Sequence, residues 1–210
     1  MVLATLTITT AFLIPFWYSK NNGCAQGYPY LTSWVNTVYP SYFECSDKFN
    51  PVTNSYDYYS PLGTVLINTN SIVLADFSAT YQLSAFSLPG VNLSSLQMFL
   101  FIVFWVLFTS LTYGTSIPTG LFQPCIVIGF AIGSLYQNIA ITYLAVADSN
   151  VSVFPLLFAA AAMTTSVTGL FYSIIVLFIE ESNSFNTTIP MVACVFIARG
   201  ISSYLTKSTY

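Results

Sequence analysis

The chain has 210 residues, of which 55% are apolar and only 5% are charged, with a formal net charge of −3. Soluble domains carry about a quarter charged residues, so this composition excludes a water-soluble surface and predicts an integral, multi-pass protein of the lipid bilayer. Histidine, the commonest general base and metal ligand, is absent from the chain. We therefore expect no enzyme, no metal or other cofactor, and no nucleic-acid partner.

The first third of the chain contains one predicted span, a long polar loop and a shorter helix. Residues 1–18 are apolar and end at an aromatic pair, which is typical of a membrane interface. Residues 19–59 are rich in Asn, Ser, Tyr and Pro and predict an extramembrane loop. Its Cys24 and Cys45 would form a disulfide in an oxidising compartment, and would otherwise stay as two free thiols. Residues 61–80 predict a partial or re-entrant helix.

The later apolar segments are repeatedly interrupted by proline, glycine or polar residues. They predict helices over residues 94–113, 120–143, 153–168, 170–181 and 189–204. Several of these helices are too short for a simple up-and-down bundle, and broken helices are tolerated in a membrane only where protein or a water-filled cavity surrounds them. We therefore predict an all-α membrane fold of tilted and broken helices, as in transporters whose half-helix ends meet an ion near the membrane centre.

The sequence GTSIPTGLFQPCIVIGF, residues 114–130, carries the most informative interruption. Pro124 is acceptable in the first turn of a helix, and Gly120 would let the chain enter that helix at an angle barred to other residues. The amides around Leu121 and Phe122 would then be unpaired donors at a helix N-terminus, which carries about half a positive charge. This pattern predicts an anion site inside the membrane.

No cation is predicted to share this anion site. No Lys or Arg lies between Lys48 and Arg199, so helix dipoles alone would hold the anion. Dipoles suit conduction, because a full buried positive charge would hold the anion too tightly to release it. Arg199 could be a charge of the pore vestibule, but we expect it to extend to a membrane interface instead. The alternative interpretation of residues 114–130 is a proline-broken loop between two packed helices.

The segment TYGTSIPTGLFQPCIVIGFAIGSLY, residues 112–136, resembles the junction between helices M and N of the CLC family of chloride channels and chloride/proton exchangers. That family carries a Tyr-Gly turn, a Gly-x-Phe-x-Pro element and a Gly-rich helix. The supporting positions of this motif are Gly114, Pro118, Pro124 and Gly129. PLLFAAAAMTTSVTGLFYSIIVLFIEESN and IPMVACVFIARGISSYLTKSTY are similar to the helices that follow in the same family.

The resemblance implies the second inverted repeat of the CLC fold. It assigns helix K to residues 1–18, L to 61–80, M to 94–113, N to 120–143, O to 153–168, P to 170–181, Q to 189–204 and the start of R to 207–210. It also implies that chloride is bound by Gly120, Leu121, Phe122 and the hydroxyl of Tyr210. Because only the second half of the family's membrane domain is covered, we expect the chain to be a fragment.

The implied function is transmembrane chloride transport. Both a voltage-gated channel and an exchanger with protons as counter-ion fit the resemblance, as do the plasma membrane and endolysosomal or vacuolar membranes. The family is dimeric through the region of helices P and Q, so residues 153–203 are expected to carry part of a homodimer face. The alternative from another class is a non-transporting membrane fragment or structural subunit that lacks the first half of the pore.

Overall fold

The computed structural model describes a defined part of the chain in two compact units, Met1–Phe101 and Ile102–Tyr210. The described residues are 9, 13, 24–26, 49–50, 55–56, 58–67, 70, 73–74, 93–113, 120–144, 154–182 and 187–205. Four residues predicted to belong to a site or a disulfide lie outside them: Cys45, Gly114, Pro118 and Tyr210.

The predicted extramembrane loop contains short paired strands, which the sequence did not indicate. Strand β1 (Ala25–Gln26) pairs antiparallel with β4 (Tyr58–Tyr59), and β2 (Phe49–Asn50) pairs antiparallel with β3 (Ser55–Tyr56). Each strand has only two residues. These pairings therefore order part of the loop without changing the helical class of the membrane region.

The residue that precedes β1, Cys24, is disulfide-bonded. The predicted partner, Cys45, is outside the described residues, so the pairing of these two cysteines stays a prediction. The cysteines of the second unit, Cys125 and Cys194, are free.

Helix α1 (Pro61–Ile67) begins directly after β4 with a well-formed cap. The Ser60 carbonyl accepts a hydrogen bond from the Thr64 amide at 3.0 Å and another from the Thr64 hydroxyl at 2.9 Å. Proline suits the first helical position, because its missing N–H would have had no partner there. Helical conformation recurs at residues 70, 73 and 74, within the predicted segment 61–80.

Helix α2 (Ser95–Tyr113) begins with a capping box, a reciprocal pair of side-chain to backbone hydrogen bonds. The Ser94 amide donates to Gln97 Oε1 at 2.9 Å, and the Gln97 amide donates to Ser94 Oγ at 3.4 Å. Farther along, exposed apolar side chains recur every four residues, at Phe99, Val103, Leu107 and Leu111. That spacing places them on one face of the helix, as a lipid-facing surface requires.

Three of the described helices are long and apolar enough to cross a bilayer: α2, α3 (Phe122–Leu144) and α6 (Thr188–Leu205). Between the last two lie the shorter helices α4 (Phe154–Thr168) and α5 (Tyr172–Ser182). The prediction of an all-α, multi-pass integral membrane protein is confirmed. Helices α2 to α6 begin and end within two residues of the bounds expected from the sequence.

Helices α3 and α4 pack antiparallel with their backbones in direct contact. A Cβ added at Gly129 would lie 2.4 Å from the Ala160 Cα, and one added at Gly133 would lie 2.6 Å from the Leu156 Cα. Real Cβ atoms do not approach other atoms so closely, so only glycine fits at either position. Small residues spaced four apart permit this close approach between membrane helices.

Helix α6 packs on α4 at the end of α4 that contains Ser166. The Ser202 hydroxyl of α6 donates to the Ser166 carbonyl of α4 at 2.8 Å. Farther towards the start of α6, Met191 and Val195 are fully buried. This contact places the last turns of α6 beside the C-terminal end of α4.

We predict that Gly129→Ala destabilises the protein by about 1–3 kcal/mol, because the new methyl group meets the α4 backbone and forces the two helices apart. Thermal unfolding of the purified protein in detergent measures the effect. Gly200→Ala is the matched control: Gly200 is also helical, but a Cβ added there has no atom within 4 Å. Equal melting temperatures for the two variants would contradict the packing described for α3 and α4.

Candidate anion-binding cleft

A cleft of about 1120 Å³ lies within the second unit, where the ends of four helices meet. Its wall is formed by the last turns of α2, the start of α3, the end of α4 and the last turns of α6. The residues that matter for its chemistry are Thr109, Tyr113, Leu121, Phe122, Ser166, Thr168, Gly169, Arg199, Ser202 and Ser203. Two predicted chloride contacts, Leu121 and Phe122, are thus part of this surface.

The start of α3 carries backbone amides without partners, and two of its residues, Leu121 and Phe122, line the cleft. The first amide with a partner inside the helix is that of Cys125, which donates to the Leu121 carbonyl at 3.2 Å. The amides of Leu121, Phe122 and Gln123 precede it and have no carbonyl four residues back within the helix. Pro124 has no N–H and is therefore not left with an unpaired donor. Phe122 is 37% exposed, so this end of the helix is open.

Gly120 differs from its expected conformation. The sequence predicted a backbone angle barred to other residues, but among the described glycines only Gly169 has a φ in the left-handed region. A Cβ added at Gly120 would also meet nothing within 4 Å. The chain therefore enters α3 with ordinary backbone angles, and an alanine would fit at this position.

The other predicted motif residues fall into two groups. Pro124 lies in the first turn of α3, as expected, and Gly129 is buried against α4 and acts through packing. Gly114, Pro118 and Tyr210 are outside the described residues, so their predicted contributions stay predictions.

Arg199 lines the same cleft as the start of α3, a position that fits the alternative of a vestibule charge. It is half-buried, and it is the only basic side chain that the structure describes. The prediction that helix dipoles alone hold the anion stays a prediction, and a guanidinium lines the same cleft as the start of α3. No local sequence signal marks this pairing, because it depends on how α6 packs against α4.

Gly169 follows the last residue of α4 and holds a conformation that favours glycine. Its φ is 76°, and its amide donates to the Thr165 carbonyl at 2.9 Å. This is the common left-handed end of an α-helix. A Cβ added here would lie 3.0 Å from Arg199 Nη1, so the absence of a side chain also leaves room for the guanidinium.

Several hydroxyl groups around the cleft are already engaged as donors. Thr109 donates to the Trp105 carbonyl at 2.6 Å, and Ser166 donates to the Met163 carbonyl at 2.8 Å. Thr168, Ser202 and Ser203 likewise donate to backbone carbonyls. The donors that remain for an anion are chiefly the first amides of α3 and the Arg199 guanidinium. The cleft therefore contains two groups that can donate to an anion, one at the start of α3 and one on α6.

Comparison with known proteins decides the family. The sequence model described as "Voltage gated chloride channel" matches residues 6–203 of this chain. The chain belongs to the voltage gated chloride channel family. This confirms the CLC resemblance, and it agrees with the multi-pass membrane architecture. Members of this family are channels or transporters and not enzymes.

Among curated proteins, this CLC chain is similar in sequence to "Chloride channel protein D" of Dictyostelium discoideum. The two sequences are 26% identical over 160 residues, which cover 70% of this chain. The same alignment covers 15% of the relative. The chain thus spans a small part of the length of the protein that it matches.

We predict that Gly169→Ala lowers the free energy of unfolding by about 1–2 kcal/mol, because an L-residue is strained in the left-handed region. Gly169→Asn should cost less, since asparagine visits that region more readily. Thermal unfolding in detergent measures the stability of both variants. Both place a Cβ equally close to Arg199, so the difference between them reports the backbone conformation. An alanine variant as stable as the wild type would contradict the conformation assigned to Gly169.

Proposed function

We propose that this CLC chain forms one wall of a chloride pathway and that chloride binds to the first backbone amides of α3. The observation that carries this proposal is the position of Leu121 and Phe122 on an open cleft at the start of a membrane helix. Family membership adds the class of ion that such a site would serve.

The physical basis is the charge distribution of the α3 N-terminus. Its unpaired amides carry the equivalent of about half an elementary positive charge, and they point away from the helix along its axis. An anion loses part of its hydration shell in the cleft, and these donors replace it. A partial charge binds chloride weakly enough to release it again, which conduction requires.

Further parts of the proposed pathway rest on the family resemblance. The Tyr210 hydroxyl would donate to the same chloride ion, with Gly120 next to the amides. In a channel chloride would move passively, whereas in an exchanger protons would move in the opposite direction. Both mechanisms use the same amide site.

We also propose a homodimer that uses the region of α5 and α6, as in other CLC proteins. The support in this chain is a set of large apolar side chains that are exposed on these two helices: Val176, Phe196, Ile197 and Ile201. A second copy of the chain would cover them at the centre of the dimer, and lipid would cover them in a monomer.

The amide site is tested by a pair of variants at the first residue of α3. Phe122→Pro removes both the side chain and the amide hydrogen, and proline is accepted at the first position of a helix. Phe122→Ala removes the side chain alone. In the polypeptide that carries this chain, we expect the proline variant to raise the half-saturating chloride concentration of flux about tenfold above the alanine variant. A hydrogen bond to a charged group contributes roughly 1.5–3 kcal/mol, which supports that magnitude.

The same two variants are compared for chloride against nitrate. We expect the ratio of the two fluxes to change more in Phe122→Pro than in Phe122→Ala, because the amide contacts the ion directly. Liposome flux assays with each anion supply the measurement. Indistinguishable flux and selectivity in the two variants would show that this amide does not bind the transported ion.

The homodimer is tested by the mass of the protein in nanodiscs. We expect twice the mass of one polypeptide, and we expect Ile201→Arg to shift the population towards the monomer. Burying a charged side chain in an apolar interface costs several times more free energy than leaving it open to water. A monomeric wild type, or a dimer that Ile201→Arg leaves intact, would contradict the proposed face.

A further inference from the structure

We propose that Arg199 determines how readily anions enter the cleft: its guanidinium concentrates chloride beside the start of α3, where the amides then bind the ion. This inference rests on the proposed function and assigns a second, distinct role within the same pathway. Binding and release stay with the amides, whereas Arg199 acts on the supply of anions.

The first support is the electrostatic surroundings of Arg199. It is the only basic side chain among the described residues, and no described carboxylate forms an ion pair with it. Glu180, the one acidic side chain that the structure describes, is exposed and does not line the cleft. A half-buried guanidinium without a carboxylate partner attracts mobile anions, and walls of low dielectric strengthen this attraction.

The second support is the way the structure holds the guanidinium at the cleft wall. Arg199 Nη1 lies 3.0 Å from the position that a Cβ would take at Gly169, so any larger residue there would displace it. Three residues farther along α6, Ser202 donates to the Ser166 carbonyl at 2.8 Å and fixes this face of α6 against α4. The guanidinium therefore lies beside the end of α4, and the Ser202 hydrogen bond fixes the helix that carries it.

The third support is that conduction needs both the attraction of anions and their release, which different groups can provide. A full positive charge in contact with the anion would slow its release, so a cation in such a pathway serves best at the wall of a wet cleft. There its effect is long-range and falls as salt screens it, over about 10 Å at 0.1 M. The amides make short contacts and are much less sensitive to salt.

If Arg199 had only a structural role, its substitution would have different effects. A guanidinium beside the C-terminal end of α4 also stabilises the negative pole of that helix. Loss of this stabilisation would lower the amount of folded protein, but it would not depend on chloride concentration or on ionic strength.

The experiment compares Arg199→Gln with Arg199→Lys in the full polypeptide, reconstituted in liposomes, with Gly200→Ala as a control on the same helix outside the cleft. Chloride flux is measured against chloride concentration at low ionic strength, and again with an impermeant salt added. We expect Arg199→Gln to raise the half-saturating chloride concentration roughly three- to tenfold at low ionic strength, and less in high salt. Arg199→Lys and Gly200→Ala should stay close to the wild type, and the chloride to nitrate ratio should not change.

Charge can also be restored chemically. In Arg199→Cys, a cationic thiol reagent should lower the half-saturating chloride concentration, and an anionic reagent of similar size should raise it. The unsubstituted protein treated with the same reagents controls for Cys125, which lines the same cleft. An equal effect of both reagents would overturn the electrostatic role.

Two outcomes separate this inference from the function on which it rests. If Arg199→Gln leaves the half-saturating concentration unchanged while Phe122→Pro raises it, Arg199 has no role in supplying anions and the amide site stands. If neither variant changes it, both the amide site and the role of Arg199 are wrong.

Discussion

The backbone contact between α3 and α4 is the constraint on which the rest of the second unit depends. Gly129 faces Ala160 and Gly133 faces Leu156, at distances that leave no room for a side chain on α3. Because the two helices run antiparallel, this contact also fixes which of their ends are neighbours. The N-terminus of α3 and the C-terminus of α4 come to lie on one cleft, and α6 packs beside them. A change in this contact would therefore alter the cleft as well as the stability of the fold.

Helix ends of opposite polarity meet on this cleft. The start of α3 is positive and presents unpaired amides, whereas the end of α4 is negative and terminates at Gly169. Arg199 lies against that negative end, so the cleft carries positive groups on both sides. Under the proposed function, this arrangement would let a chain with only four basic residues attract an anion. In the proposed CLC pathway, the start of α3 would supply the binding site and Arg199 would supply the surrounding field.

Helix bounds and membrane class could be predicted from the sequence, because they depend on local apolar length and on proline and glycine positions. The start of α3 followed from Pro124, and the end of α4 followed from Gly169. The environment of Arg199 could not be predicted in this way, since it depends on the packing of α6 against α4. The prediction for Gly120 was wrong because glycine permits an unusual backbone angle but does not require one. The strand pairs of the polar loop were missed because two-residue strands leave no alternating pattern.

The central claim is that the first amides of α3 hold the transported anion, and locating a heavy halide tests it most directly. Bromide replaces chloride, and its anomalous scattering marks its position in crystals of the polypeptide that carries this chain. The account predicts a bromide peak within hydrogen-bonding distance of the Leu121, Phe122 or Gln123 amides, on the cleft that Arg199 also lines. Ordered bromide elsewhere in the membrane region, with none at the start of α3, would contradict it.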